Sequence, residues 1–298
     1  MWMAVNVFPA FNSGENMDSV LFRSEHGDVT VSGMRVALQA VGAADCDALY
    51  IHTDMTFGLP AVRRGQLLAE LLGVIESLDV RTLIFPTFTF SFCNNEPFDI
   101  QNSKTPMGAL NEYVRKSGRG VRSVDPLLSV YVLGDRLNLT DDLSEESIGV
   151  GSNYDRLHHC GKEVRFLFFG ADMRQCFTYT HYMEAIIGVP YRYNREFSGT
   201  VIDGGTLQEG KKALLYSTYA NCRLSSKPVV YDAMLQYGQL RMESVGNSLF
   251  CSFTEKDAYA TISDLLYDNI LCLTDGTFDP TIKNTSYNVN NQRIISVC

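Results

Sequence analysis

Residues 48–85 read ALYIHTDMTFGLPAVRRGQLLAELLGVIESLDVRTLIF. Ala48-Leu49-Tyr50-Ile51 is an apolar run with no alternation, the pattern of a strand covered on both faces, and it ends in the polar group His52-Thr53-Asp54. From Val62 to Leu78 the apolar residues at 67, 68, 71, 72, 75 and 78 keep helical spacing, and Thr82-Leu83-Ile84-Phe85 is a second buried-type run. Strand, helix and strand in that order predict a parallel crossover unit, which places the chain in the α/β class.

Upstream of this unit, Val31 to Val41 is predicted to form a short helix ending at Gly42, while residues 1–27 form a poorly defined N-terminal segment. Downstream, the pattern repeats. Ser129 to Leu133 is strand-like, Ser152 can cap a helix running through Leu157, and Val164 to Phe169 is another buried-type strand closed by Gly170. The period then changes. Phe197 to Ile202 and Ala213 to Tyr219 flank Asp203-Gly204-Gly205, and Leu240 to Val245 and Leu249 to Phe253 flank Gly246-Asn247, so two antiparallel hairpins are expected. Thr254-Glu255-Lys256-Asp257 reads as a capping box for a last helix, and residues 274–298, rich in Asn, Thr and Ser, as a loop-like tail. No linker or repeat interrupts the chain. It is therefore read as a single α/β domain over 1–298, with a mixed sheet: parallel crossover units in the first two thirds, antiparallel hairpins plus a helix after them.

Composition limits the function classes. The chain has 298 residues, 45% of them hydrophobic and 20% charged, as in ordinary globular proteins. Its 25 Lys and Arg against 34 Asp and Glu give 25 − 34 = −9, with no dense basic run, so a nucleic-acid partner is not expected. An acidic cleft would instead concentrate a cationic ligand. The eight cysteines form no CxxC pair, which argues against a zinc ribbon or a disulfide framework. No apolar run reaches the roughly 18 residues of a membrane span, and the N-terminus is a weak secretory signal, so a cytoplasmic protein without a membrane partner is expected. A homo-oligomer is compatible with all of this.

The segment from Gly170 to Pro190 carries the most chemistry. It follows a buried-type strand, and open α/β sheets place their ligand cleft at the carboxyl ends of strands. A helix is predicted from about Phe177 to Ile187, stopped by Gly188 and Pro190, with Tyr179, Tyr182, Met183, Ile186 and Ile187 as its apolar stripe. His181 and Glu184 lie three apart on the opposite face. A carboxylate beside an imidazole is a workable acid/base unit, and an exposed pair on the wet side of the helix has the same pattern. With no HExxH and no third ligand in view, no metal is expected. His52 to Gly58 sits where a strand gives way to a loop and offers hydrogen-bonding groups, or simply a capped turn. Gly149-Val150-Gly151-Ser152 lacks the third glycine of a dinucleotide loop, since Tyr154 stands there. His158-His159-Cys160 reads as a polar stretch facing solvent.

Taken in order, His52-Thr53-Asp54-Met55-Thr56-Phe57-Gly58, Phe85-Pro86-Thr87-Phe88-Thr89, Thr105-Pro106-Met107-Gly108, Arg122-Ser123-Val124-Asp125-Pro126-Leu127-Leu128-Ser129, Gly149 to Ser152 and Thr180-His181-Tyr182-Met183-Glu184 resemble the antibiotic N-acetyltransferase family, typified by aminoglycoside 3-N-acetyltransferases. The resemblance implies a fold distinct from the GNAT acetyltransferases, acetyl-CoA as co-substrate, and a primary amine of an aminoglycoside or related amino sugar as acceptor. It implies His181 and Glu184 at the acceptor amine; because an alkylammonium cannot attack a thioester and no cysteine shows an activating neighbourhood, His181 oriented by Glu184 is the candidate general base for direct attack in a ternary complex. His52, Thr53, Asp54, Thr105, Met107, Gly108, Arg122, Ser123 and Ser129 would lie near CoA, with Thr53 or Ser123 near the thioester oxyanion. Asp172, Glu184 and Glu196 would edge a cationic acceptor. The sequence departs from the family at Asp125, where His or Asn usually precedes the proline. That departure motivates the alternative of a sugar- or CoA-binding descendant without turnover, beside that of an N-acetyltransferase of surface-polysaccharide or nucleotide-sugar biosynthesis.

Overall fold

A computed structural model describes residues 18–224, 226–283, 286–289 and 292–295. The crossover unit is as expected: strand Ala48–Thr53, helix Arg64–Glu76 and strand Thr82–Pro86, the two strands parallel. They lie in a seven-stranded sheet ordered 241–245, 248–254, 164–169, 48–53, 82–86, 130–134 and 121–122. Strand Val164–Phe169 is also parallel to Ala48–Thr53, on its other side. The chain therefore leaves the central strand in one direction for 82–86 and returns on the opposite side for 164–169. Such a reversal of strand order opens a crevice at the carboxyl ends of the strands.

Period-two alternation assigns the core. Tyr50, Ile84, Phe166, Phe168 and Phe253 face one buried cluster, and Leu49, Ile51, Phe85, Leu167 and Phe169 face the other. Helix Arg64–Glu76 buries Leu67, Leu68, Leu71, Leu72, Val74 and Ile75 against the second cluster, close to the spacing read from the sequence. On the first face pack the helices that carry Leu157, Tyr179, Tyr182, Val230, Met234 and Ile262. His52 continues the Tyr50 face, and its ring stacks on Phe168 at 4.7 Å. The alternation therefore decides on which side of the sheet a site containing His52 is built.

Both expected hairpins are present. Arg192–Asp203 pairs with Thr206–Ala220 across Gly204 and Gly205, whose φ values of +55° and +85° suit the tight turn. Arg241–Val245 pairs with Ser248–Thr254, and Thr254 accepts the amide of Asp257 at 3.0 Å to cap helix Glu255–Asp268. Three expectations are corrected, and one helix is added. Strand Val130–Gly134 runs antiparallel to 82–86, so it continues no crossover. Residues 20–24 and 27–30, expected to lack definition, form an antiparallel hairpin, while 1–17 lie outside the described residues. The tail expected to be loop-like from 274 includes strands Asp279–Lys283, Ser286–Val289 and Gln292–Ile295, the first paired with the long hairpin. Helix Ser226–Gln236 is absent from the sequence reading because Pro228 hides it; in a first turn the missing N–H of proline costs no helical bond.

Candidate active site

Gly170 ends strand 164–169 at φ +75°, and a Cβ there would meet the carbonyl of Asp54 and the ring of Phe57. The chain then forms the short helix Met173–Cys176, capped by Asp172, and helix Tyr179–Ile187, ended by Gly188 at φ +80°. This helix starts two residues later than the expected Phe177. Its face assignment is also corrected. Tyr179, Tyr182 and Met183 are buried as predicted, but Glu184 is 0% exposed and Ile186 36% exposed. An exposed pair on the wet side of the helix is thereby ruled out.

The reason is Arg192, which the long hairpin brings to the same spot. His181 Nδ1 lies 2.6 Å from Glu184 Oε2, Tyr191 donates its hydroxyl to Glu184 Oε1 at 2.8 Å, and Arg192 Nε is 2.9 Å from Oε2. That last N–H points too obliquely for a good hydrogen bond, so the attraction there is Coulombic. Arg192 also reaches the carbonyl of Tyr216 at 3.1 Å through Nη1 and His181 Nδ1 at 2.9 Å through Nη2. Nδ1 can serve only one of these two partners. We assign its proton to the shorter, charge-assisted contact with Glu184, which leaves the basic lone pair of the ring on Nε2. Burial alone would push the Glu184 carboxyl up, but Arg192 and His181 together hold it down at about 2. A fixed carboxylate then orients the imidazole.

His181 and Arg192 open onto a cavity of about 380 Å³ at the carboxyl ends of the parallel strands. His52 and Pro86 come from two of those strands, Gln175, Cys176 and Thr178 from the segment after the third, and Leu215 to Thr218 from the long hairpin. Phe88, Phe90, Leu128 and Ile148 form its apolar wall.

Of the residues expected near CoA, His52 and Met107 line this cavity. Thr53 donates to Asn111 Oδ1 at 2.7 Å, and the space above Gly108 opens toward Thr53 Oγ1, 3.5 Å from where a Cβ would stand. Thr105 accepts the amide of Met107 at 3.2 Å and gives its own hydroxyl to Phe88. Thr105 is thus tied to Met107 and Gly108 lies beside Thr53, while Asp54 is exposed and accepts the amide of Met55. Arg122, Ser123 and Ser129 lie elsewhere. Arg122 is 4% exposed and gives its N–H groups to Ser129 Oγ, the carbonyls of Ser103 and Thr87, and Thr89 Oγ1. Ser123 is fully buried and accepts the amide of Val130. All three brace the inside of the fold. Ser123 is thereby removed as an oxyanion donor.

The expected acidic edge is also absent. Asp172 pairs with Arg174 at 3.0 Å and Glu196 with Lys212 at 3.1 Å, and neither lines the cavity itself, although Asp172 stands directly behind the lining residue Gln175, 3.4 Å from its amide. Asp125 is buried, accepts from the amide of Leu127 and the hydroxyl of Ser147 at 2.8 Å each, and lines a separate cavity of about 220 Å³. Burial raises its carboxyl pKa against those two bonds. His158, expected to face solvent, instead contacts Glu255 at 2.7 Å and stacks on Tyr259 at 4.2 Å. Among the described residues no group of three or more His, Cys, Asp or Glu is placed to hold a metal ion. Nor is any helix there long and apolar enough to cross a membrane.

A sequence profile described as Aminoglycoside 3-N-acetyltransferase matches residues 76–266. No curated protein matches the chain in sequence. Several solved structures share its fold. AAC-IIIb in binary complex with CoASH superposes at TM-score 0.69 and 17% identity, covering 80% of this chain and 96% of that one. YokD protein from Bacillus subtilis gives 0.67 and 15%, covering 85% and 96%. Aminoglycoside acetyltransferase AAC(3)-IVa, as a histidine-to-alanine mutant in complex with a gentamicin, gives 0.67 and 18%, covering 87% and 93%.

Proposed function

The chain belongs to the aminoglycoside 3-N-acetyltransferase family, and from that premise we propose that it transfers acetyl from acetyl-CoA to a primary amine of an aminoglycoside or related amino sugar, by direct attack with His181 as general base. The observation that carries this reading is the 2.6 Å contact of His181 Nδ1 with the fully buried Glu184, on the wall of the cavity at the strand ends. Related folds solved with CoASH and with a gentamicin supply precedents for both ligands.

An ammonium has no lone pair, so the acceptor must react as the neutral amine. Its nitrogen attacks the thioester carbonyl, the carbon–nitrogen bond forms, and the carbon–sulfur bond breaks. The excess proton on nitrogen passes to His181 Nε2, and a proton returns to the CoA thiolate. Glu184 holds the ring by Nδ1 throughout and balances the imidazolium. The apolar wall and the two His52-side strand ends suit the uncharged thioester end of the donor. Cys176 also lines the cavity, but direct attack needs no enzyme nucleophile.

Purified protein mixed with acetyl-CoA, a thiol reagent and a panel of amines tests the reading. Amine-dependent CoA release is expected, and His181→Ala should lower kcat by ~100-fold or more with little change in KM. CoA release with no amine in a broad panel would sink it. So would an unaffected His181→Ala.

A further inference from the structure

The charge of the cavity bears on the acceptor, and an inference about it rests on the acetyltransferase reading above. Three carboxylates were candidates to receive a cationic sugar, and each is matched by a cation of the chain itself. Glu184 faces Arg192, Asp172 faces Arg174, and Glu196 faces Lys212. Among the described residues lining the cavity there is no Asp or Glu at all, and the fixed charge there is that of Arg192. Its guanidinium is committed to Glu184 and the Tyr216 carbonyl, so it offers little to an anionic ligand.

A polyamine entering such a site would bring ammonium groups that find no carboxylate, against walls of Phe88, Phe90, Leu128, Ile148 and Leu215 that are each at most 8% exposed. Burying unpaired charge against apolar groups is strongly unfavourable. A single amine escapes the difficulty, because it sheds its one excess proton to react. The cavity volume of about 380 Å³ also lies near the low end of ligand sites, and the donor thioester must share it. We infer that the acceptor is a monoamine on an uncharged body with an apolar face, of the size of one amino-sugar ring with a neutral substituent, and that polycationic aminoglycosides are poor substrates.

The test compares kcat/KM at fixed acetyl-CoA for 4-nitrophenyl glucosaminide, neamine and gentamicin, at low and at high sodium chloride. The monoamine should lead by about tenfold or more, with little salt dependence, because no fixed negative field draws it in. Gln175→Glu places a carboxylate on the exposed part of the cavity wall and should raise the gentamicin-to-monoamine ratio by about tenfold. A wild-type preference for gentamicin that collapses with salt would overturn the inference and leave the acetyltransferase reading standing. Absence of acetylation of every amine, in a protein that still binds acetyl-CoA, would bring down that reading and the inference with it.

Discussion

At the scale of single residues, the Glu184 carboxylate decides both chemistry and stability. Its carboxyl sits at about 2 in the folded protein, below the ordinary 4.5, so the fold prefers the ionised form. That preference is fully present above pH 4.5 and is lost as pH falls from there toward 2. Glu184→Gln leaves Arg192 buried without its counter-charge and should destabilise the protein at neutral pH by about 3–5 kcal/mol. It should also flatten the acid loss of stability between about pH 4.5 and 2.5, measured as the urea midpoint. Equal acid slopes for wild type and variant would refute the assignment. Removing Arg192 tests the same cluster from its other side. Arg192→Gln withdraws the larger of the two charges that hold the Glu184 carboxyl down, so the stability lost between about pH 4.5 and 2 should shrink, read from the same urea midpoints. The pair at 181 and 184 was legible because residues three apart on a helix are neighbours. Arg192 was not, since only the hairpin fold carries it back across eleven positions. Nor could the sequence say that Arg122, Ser123 and Ser129 turn their polar groups inward. A motif fixes which side chains are present and leaves open which of them are already spent on backbone carbonyls and amides.

At the scale of elements, the strands and caps that lead into the site are the parts the sequence specified best. Buried-type runs at 48–53, 82–86 and 164–169 need no partner to be recognised, because their apolar continuity reports burial on both faces. The direction of 130–134 could not be read in the same way, since the same run suits either orientation. Gly170 joins one of these strands to the site helices, and its backbone lies in a region that side chains avoid, with Asp54 and Phe57 packed against it. Gly170→Ala should therefore cost about 2–4 kcal/mol, from left-handed strain together with overpacking. It should lower activity as well, because the same shift moves both the loop after His52 and the segment before His181. An unchanged denaturation midpoint would show that the junction yields more easily than its contacts imply. By comparison Thr254→Ala, which removes the cap of helix 255–268, packed on the same face of the sheet as the site helix, should cost about 1 kcal/mol.

At the scale of the whole molecule, the two buried clusters lie on opposite faces of one sheet, and neither is local in sequence. The first runs from Ala48 to Leu273, and the second from Leu21 to Phe250. Strand 48–53 contributes alternate residues to both, so neither face can lose its packing without exposing the strand that supports the other. Residues that early and that late in the chain should therefore unfold together, which is the thermodynamic meaning of the single domain read from the sequence. The cavity lies at the end of this shared strand, so ligand binding should be felt by the entire cooperative unit. Acetyl-CoA at about 100 times its Kd stabilises the native state by about 2.7 kcal/mol, which for a chain of this length is a rise in Tm of about 4 °C. One calorimetric transition, shifted as a whole by acetyl-CoA, is the expected result. His181→Ala should retain the shift while losing turnover, because the ring moves a proton and is not required to hold the donor. Two resolved transitions, or a shift confined to one of them, would mean that the two faces are separately stable and that the site belongs to only one.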